Sequence, residues 1–143
     1  MRKAKILLAD DNPLICEVVA RLLKRTCRIV AKVGDGQALI HAASRTKPDV
    51  IVTDVSMPIL NGIEAANRLR EFGSKSRIVF LTVHQDSDFI KACFAAGALA
   101  YVSKLRMITD LWPAIQGALA GCSFISPIAT FDTAELSTSS YPF

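Results

Sequence analysis

Lys5-Ile6-Leu7-Leu8-Ala9-Asp10-Asp11-Asn12-Pro13 changes character twice in quick succession. Its apolar first half reads as a strand covered on both faces, the pattern of a parallel sheet. The second half stops that strand with two aspartates. It then offers Asn12 as an N-cap and Pro13 at the first helical position, where a missing N–H costs nothing. A strand that hands over to a helix through an acidic loop is the repeating unit of an alternating α/β fold.

Outward from this stretch the alternation continues. Residues 13–25 carry Leu14, Ile15, Val18, Val19, Leu22 and Leu23 at helical spacing, with Glu17, Arg21 and Lys24 opposite. Further aliphatic runs at 28–33, 50–53, 78–82 and 99–103 predict strands, and 37–45, 62–71, 86–96 and 109–120 predict helices. Five strands alternating with five helices imply a doubly wound parallel sheet with right-handed crossovers, and the flavodoxin-like order 2-1-3-4-5 is the expected arrangement. The first, third and fourth runs are the most continuously apolar and are expected at the centre. In such sheets the functional crevice lies beyond the carboxyl ends of the strands, just after Ala9, Thr53 and Leu81.

The chain has 143 residues, 51% of them hydrophobic and 21% charged, which excludes a disordered polar chain and suits one folded unit. No apolar run approaches the roughly 20 residues of a membrane span. The basic start, Met1 to Lys5, is followed by an apolar stretch too short for a signal peptide, so a cytoplasmic protein is expected. Cys16, Cys27, Cys93 and Cys122 have no metal-ligand spacing and read as reduced, mostly buried thiols. The net charge of +4 is spread along the chain, so direct nucleic-acid binding is not expected, and neither is a membrane partner. The periodic pattern ends at Ser123, and 130–143 is rich in Ser and Thr. Residues 1–125 are therefore expected as the folded domain and 126–143 as a flexible tail or linker stub.

Asp10 and Asp11 follow the first strand and Asp54 follows the third, so the sheet order brings three carboxylates to one end. One Asp-Asp pair is ordinarily a solvated loop. Carboxylates gathered at the functional end of a sheet are better explained by a hard cation, and Mg²⁺ suits one or two carboxylates, waters and a phosphate. Thr82 and Lys104 reach the same rim from the fourth and fifth strands. Singly, the lysine would be an exposed residue and the threonine a β-former. Beside the carboxylates they supply a fixed positive charge and a hydroxyl, the parts of a phosphoryl-transfer site.

Asp10-Asp11, the run Asp54-Val55-Ser56-Met57-Pro58 followed by Asn61-Gly62, and then Thr82, Tyr101 and Lys104 resemble the signature of bacterial response-regulator receiver domains over residues 4–122. The resemblance implies that Asp54 is the phosphoacceptor. It implies that Asp10, Asp11, Asp54 and the Ser56 backbone carbonyl hold Mg²⁺, Asp10 through water. Thr82 and Lys104 would contact the phosphoryl group. It implies a sensor histidine kinase or phosphotransfer protein as donor, and a switch in which Thr82 moves toward the phosphate and Tyr101 turns inward, altering the surface of the fourth helix, fifth strand and fifth helix. A homodimer is a further possibility of the family. Val83 stands where the family usually has a small residue, and Leu105-Arg106 where many members have Pro or a small polar residue. Ser56 and His84 hold the two variable positions flanking the site.

Val33-Gly34-Asp35-Gly36, Gly97 to Tyr101 and Gly121 to Pro127 are similar to receivers that precede a LuxR-type helix-turn-helix domain, and no recognition helix is expected after Ile125. Two other readings stand beside this one. A phosphohydrolase with an aspartyl nucleophile usually carries a second acid two positions on, where Ser56 stands. A receiver-like module that binds partners without phosphorylation would lack one or more of these site residues.

Overall fold

The fold is taken from a computed structural model that describes residues 2–127. The strands are β1 (Ala4–Ala9), β2 (Cys27–Val33), β3 (Val50–Thr53), β4 (Arg77–Thr82), β5 (Ala100–Ser103) and β6 (Phe124–Ile125). The helices are α1 (Pro13–Leu23), α2 (Gly36–Thr46), α3 (Gly62–Glu71), α4 (Ser87–Ala95) and α5 (Met107–Leu119), the last entered through a 3₁₀ turn at Lys104–Arg106. All strand pairings are parallel and the order is β2-β1-β3-β4-β5-β6.

The expected order 2-1-3-4-5 is present, with β1, β3 and β4 at the centre, but among the described residues the sheet has six strands where five were expected. β6 pairs Phe124 with Ala100 and Ile125 with Tyr101. A two-residue strand is too short to carry a periodic signal, so the periodic pattern ends at Ser123 while the sheet continues as an edge that covers β5. Of the segment expected as a tail, Ser126 and Pro127 fall within the described residues, and Ser126 is buried. The expectation for 130–143 lies outside the described residues.

Period-two alternation divides the core into two layers. Leu7, Ile51, Ile78, Phe80 and Tyr101 face α2, α3 and α4, meeting Leu39, Ala65, Leu69, Ile90 and Cys93. Ile6, Leu8, Val50, Val52, Val79, Leu81 and Val102 face α1 and α5, meeting Val19, Leu23, Leu111 and Ile115. Full burial of each such side chain contributes about 1.5–3 kcal/mol, so both layers are needed to offset the entropy of ordering the chain.

Side-chain caps set the helix starts. Asn12 accepts from the Leu14 N–H, Asp35 from Ala38, Asn61 from Glu64 and Asp86 from Asp88, at 2.7–3.0 Å. The apolar face expected of α1 needs correction. Cys16 joins Val19 and Leu23 in the core, while Leu14 is 72% and Val18 43% exposed. A helical stripe broader than the contact it makes leaves its flank in solvent, and here that flank borders the acidic end of the sheet.

Candidate functional site

The carboxylates arrive on backbone that continues the sheet by one residue. The Asp10 N–H donates to the Val33 carbonyl at 3.0 Å and the Asp54 N–H to the Ala9 carbonyl at 2.9 Å. Because β1 and β3 are neighbours, one carboxylate oxygen from each of Asp10, Asp11 and Asp54 lies within 4.8 Å of the others. Asp10 and Asp54 are each 6% exposed, whereas Asp11 is open to solvent. The Asn12 N–H holds Asp10 Oδ1 at 2.9 Å, and the Val55 N–H holds Asp54 Oδ1 at 2.7 Å.

The remaining oxygens of the two buried carboxylates share one cation. Lys104 Nζ lies 2.7 Å from Asp10 Oδ2 and 2.9 Å from Asp54 Oδ2. Burial disfavours the ammonium, but its hydrogen bonds to Asp10 and Asp54 outweigh that effect and hold its pKa above the ordinary lysine value. Burial also raises the Asp10 carboxyl, opposed by Lys104 and by the Asn12 N–H. Three carboxylates against one ammonium leave surplus negative charge in a half-enclosed pocket. Its donors are all hard oxygens, and Asp11 remains open on the solvent side. That donor set fits a small divalent cation.

The β3–α3 loop holds Asp54 by close backbone packing. The Gly62 N–H donates to the Val55 carbonyl at 2.8 Å, and a Cβ on Gly62 would lie 2.0 Å from the Asp54 carbonyl oxygen. A Cβ on Gly36 would likewise lie 2.1 Å from the Leu60 carbonyl oxygen. These glycines are required for approach, not for an unusual φ. Gly62→Ala is expected to cost about 3 kcal/mol, because fixed backbone and not a flexible side chain stands in the way. Its urea midpoint measures this; an unchanged midpoint would show that the loop yields freely.

Thr82 ends β4 fully buried, and its Oγ1 accepts the His84 N–H at 3.3 Å. Ser56 Oγ and His84 Nε2 lie 2.7 Å apart, and the His84 ring stacks on Phe89 with centroids 4.6 Å apart. The two flanking positions, read separately in the sequence, therefore meet across the mouth of the site. Tyr101 already points inward. It is fully buried, its hydroxyl has no hydrogen-bond partner among the described residues, and burial raises its phenol pKa. Burial pushes the neighbouring Cys93 thiol up to about 12, with the charge of Asp54 adding to the effect.

The fold also assembles a buried polar cluster that no sequence signal marked. Asp110 on α5 accepts from Arg106 Nε at 2.9 Å, from Thr109 Oγ1 at 3.0 Å and from Ser126 Oγ at 2.7 Å. Burial alone would raise its pKa, but these three bonds bring it below the ordinary 3.8. A lowered folded-state value gives stability that is present above the unfolded pKa and lost as pH falls through the folded one. At pH 7 wild type is expected to exceed Asp110→Asn by about 2 kcal/mol. That gap should close below about pH 4, which urea titrations at several pH values would measure.

Residues 6–116 match the family model of the response regulator receiver domain. The transcriptional regulatory protein PdtaR of Mycobacterium tuberculosis is 39% identical over 119 residues, covering 81% of this chain and 57% of that protein. The chain thus spans little more than half the length of that relative. A LuxR-family two-component response regulator from Aurantimonas sp. SI85-9A1 superposes with a TM-score of 0.88 at 34% identity, covering 96% of this chain and 100% of that one. The isolated REC domain of RcsB from Salmonella enterica serovar Typhimurium, solved with phosphomimetic BeF₃⁻, shares the fold. Its TM-score is 0.80 at 23% identity, over 87% of this chain and 94% of that one. Among the described residues no helix is long and apolar enough to cross a membrane. The family match runs from inside β1 to inside α5 and takes in every strand from which the acidic cluster is built: the chain belongs to the response regulator receiver domains of two-component signalling.

Proposed function

We propose that the chain accepts a phosphoryl group on Asp54 from a phosphohistidine of a sensor kinase or phosphotransfer protein, and that it assists the transfer itself. The observation that carries this reading is the arrangement around Asp54 Oδ2. One oxygen of the carboxylate is tied to the Val55 N–H, and the other lies 2.9 Å from Lys104 Nζ in a cluster with the carboxylates of Asp10 and Asp11. In the transfer an Asp54 oxygen attacks phosphorus, the P–N bond to the donor imidazole breaks, and an acyl phosphate forms. Asp10, Asp11, Asp54 and the Ser56 backbone carbonyl would hold Mg²⁺, which when bound offsets charge on the transferred phosphoryl oxygens. Lys104 has to leave its carboxylate partners to reach the phosphoryl oxygens, and the Thr82 hydroxyl has to give up the His84 N–H. Those movements, with Tyr101 behind them on β5, are the route by which phosphorylation alters the face of α4, β5 and α5.

The rim supports a protein donor. Leu14, Ile59, Val83, Leu105 and Ile108 are 59–80% exposed, and each follows the carboxyl end of a strand. Apolar side chains ringing an acidic pocket suit a partner that buries them while presenting its phosphohistidine to Asp54. A second copy of the chain, or an output domain such as the transcriptional relatives imply, is the proposed receiver of the switched face.

The test is incubation with acetyl phosphate, with and without Mg²⁺, followed by intact mass. A gain of one phosphoryl group that requires Mg²⁺ is expected. No gain under either condition would leave a receiver-shaped binding module.

A further inference from the structure

Among the described residues Lys104 is the one side chain that bridges Asp10 and Asp54, and it stands on a 3₁₀ turn of only three residues, Lys104–Arg106. A lysine stem is flexible, so its ammonium is aimed only as well as its backbone is held. The turn is fastened at both ends. At its start, Ser103 Oγ accepts the Leu105 N–H at 3.2 Å, and the Ser103 N–H donates to Ser126 Oγ at 3.2 Å. At its end, Arg106 Nε binds Asp110 Oδ2 at 2.9 Å, and the Arg106 carbonyl accepts from Thr109 Oγ1 at 3.2 Å. Ser126 joins the two ends, because its hydroxyl also donates to Asp110 Oδ2 at 2.7 Å. Its own N–H donates to the Tyr101 carbonyl at 2.9 Å, which carries the β6 pairing one residue further. Ser126 and Ser103 are each 1% exposed and Asp110 7%, so the Ser103–Ser126–Asp110 part of this network is shielded from competing water.

We infer that Ser126, with Asp110 and Arg106, is a positioning residue for phosphoryl transfer: the segment leaving β6 latches the turn that aims Lys104 at Asp54. Ser126 hydrogen-bonds to none of the three carboxylates of the site. It acts through the backbone on either side of Lys104, and a misplacement of about 1 Å in such a group can cost up to 10²-fold in rate. The latch also places the outgoing chain in the same hydrogen-bonded unit as the reactive lysine and the Tyr101 carbonyl.

The inference rests on the phosphoacceptor reading of Asp54, and the experiment separates the two. The 143-residue wild-type chain, Ser126→Ala, Ser126→Thr and Arg106→Gln are phosphorylated with acetyl phosphate and followed by mass, while Mg²⁺ binding is measured by calorimetry. Ser126→Ala is expected to slow phosphorylation about tenfold with no weakening of Mg²⁺ binding, since the proposed ligands are untouched, and Ser126→Thr to restore the rate. Arg106→Gln, at a side chain 45% exposed, keeps the core intact and is expected to slow the reaction about threefold. It carries the test if Ser126→Ala fails to fold. Unchanged rates in the folded variants would overturn the latch. So would a fall in rate matched by an equal fall in Mg²⁺ affinity, which is general damage to the site. If wild type takes no phosphoryl group, the phosphoacceptor reading itself fails and the latch goes with it.

Discussion

Asp54→Asn is expected to remain folded and to take up phosphoryl groups slower by a factor on the order of 10⁴ or more, the scale of losing a nucleophile. The two halves of that result have separate causes. An asparagine oxygen still accepts the Val55 N–H that Asp54 Oδ1 accepts at 2.7 Å, so the loop geometry survives. The 2.7 Å pair of Lys104 with Asp10 also survives, while the amide N–H₂ that takes the place of Asp54 Oδ2, 2.9 Å from Lys104 Nζ in wild type, sets two donors against each other and offsets part of what is gained from the lost carboxylate repulsion. A neutral amide, however, has no anionic oxygen with which to attack phosphorus. Phosphorylation time courses with urea midpoints check both halves. A variant that loses uptake together with its fold would leave the role of Asp54 open to a purely structural reading.

Lys104→Met is expected to do the reverse, lowering stability before it touches the chemistry. The side chains of Lys104, Asp10 and Asp54 are only 12%, 6% and 8% exposed in their pairings, so removing the ammonium leaves two buried carboxylates facing one another. Breaking a buried pair from one side costs about 3–5 kcal/mol. A cation that binds only the folded state recovers stability as RT ln(1 + [L]/Kd). The destabilisation should therefore be large in EDTA and shrink in millimolar Mg²⁺, more steeply than for wild type, where Lys104 competes for the same oxygens. Transfer should still be about 10²-fold slower at saturating Mg²⁺, because the cation that accompanies the phosphoryl oxygens is missing. Equal loss of stability with and without Mg²⁺ would show that the carboxylates do not form a cation site.

Much of the fold was legible because its signals are local. The apolar continuity of β1, β3 and β4 reflects burial on both faces, and each N-cap lies within three residues of the N–H it satisfies. The carboxylates were legible for a related reason: strand ends are marked in sequence, and parallel order fixes which ends are neighbours. What escaped depends on contacts between loops that only the assembled sheet brings together. Ser56 and His84, each marked in sequence as a position flanking the site, meet across 28 residues, a contact that neither shows alone, and Asp110 and Ser126, which no signal marks, meet across 16. β6 was missed because two residues carry no period. Leu14 and Val18 were given to the core because helical spacing shows which residues share a face, but not how wide a contact that face will find.

The most direct test of the account is to phosphorylate the protein, reduce it with borohydride and sequence the peptide that spans residue 54. Hydride converts an acyl phosphate to the alcohol with release of phosphate, so a phosphorylated Asp54 becomes homoserine at that position. Homoserine at position 54 alone, formed only when Mg²⁺ was present during labelling, is the expected result. Homoserine at Asp10 or Asp11, or a phosphoryl group that survives borohydride on another residue, would contradict the assignment of Asp54 as the acceptor.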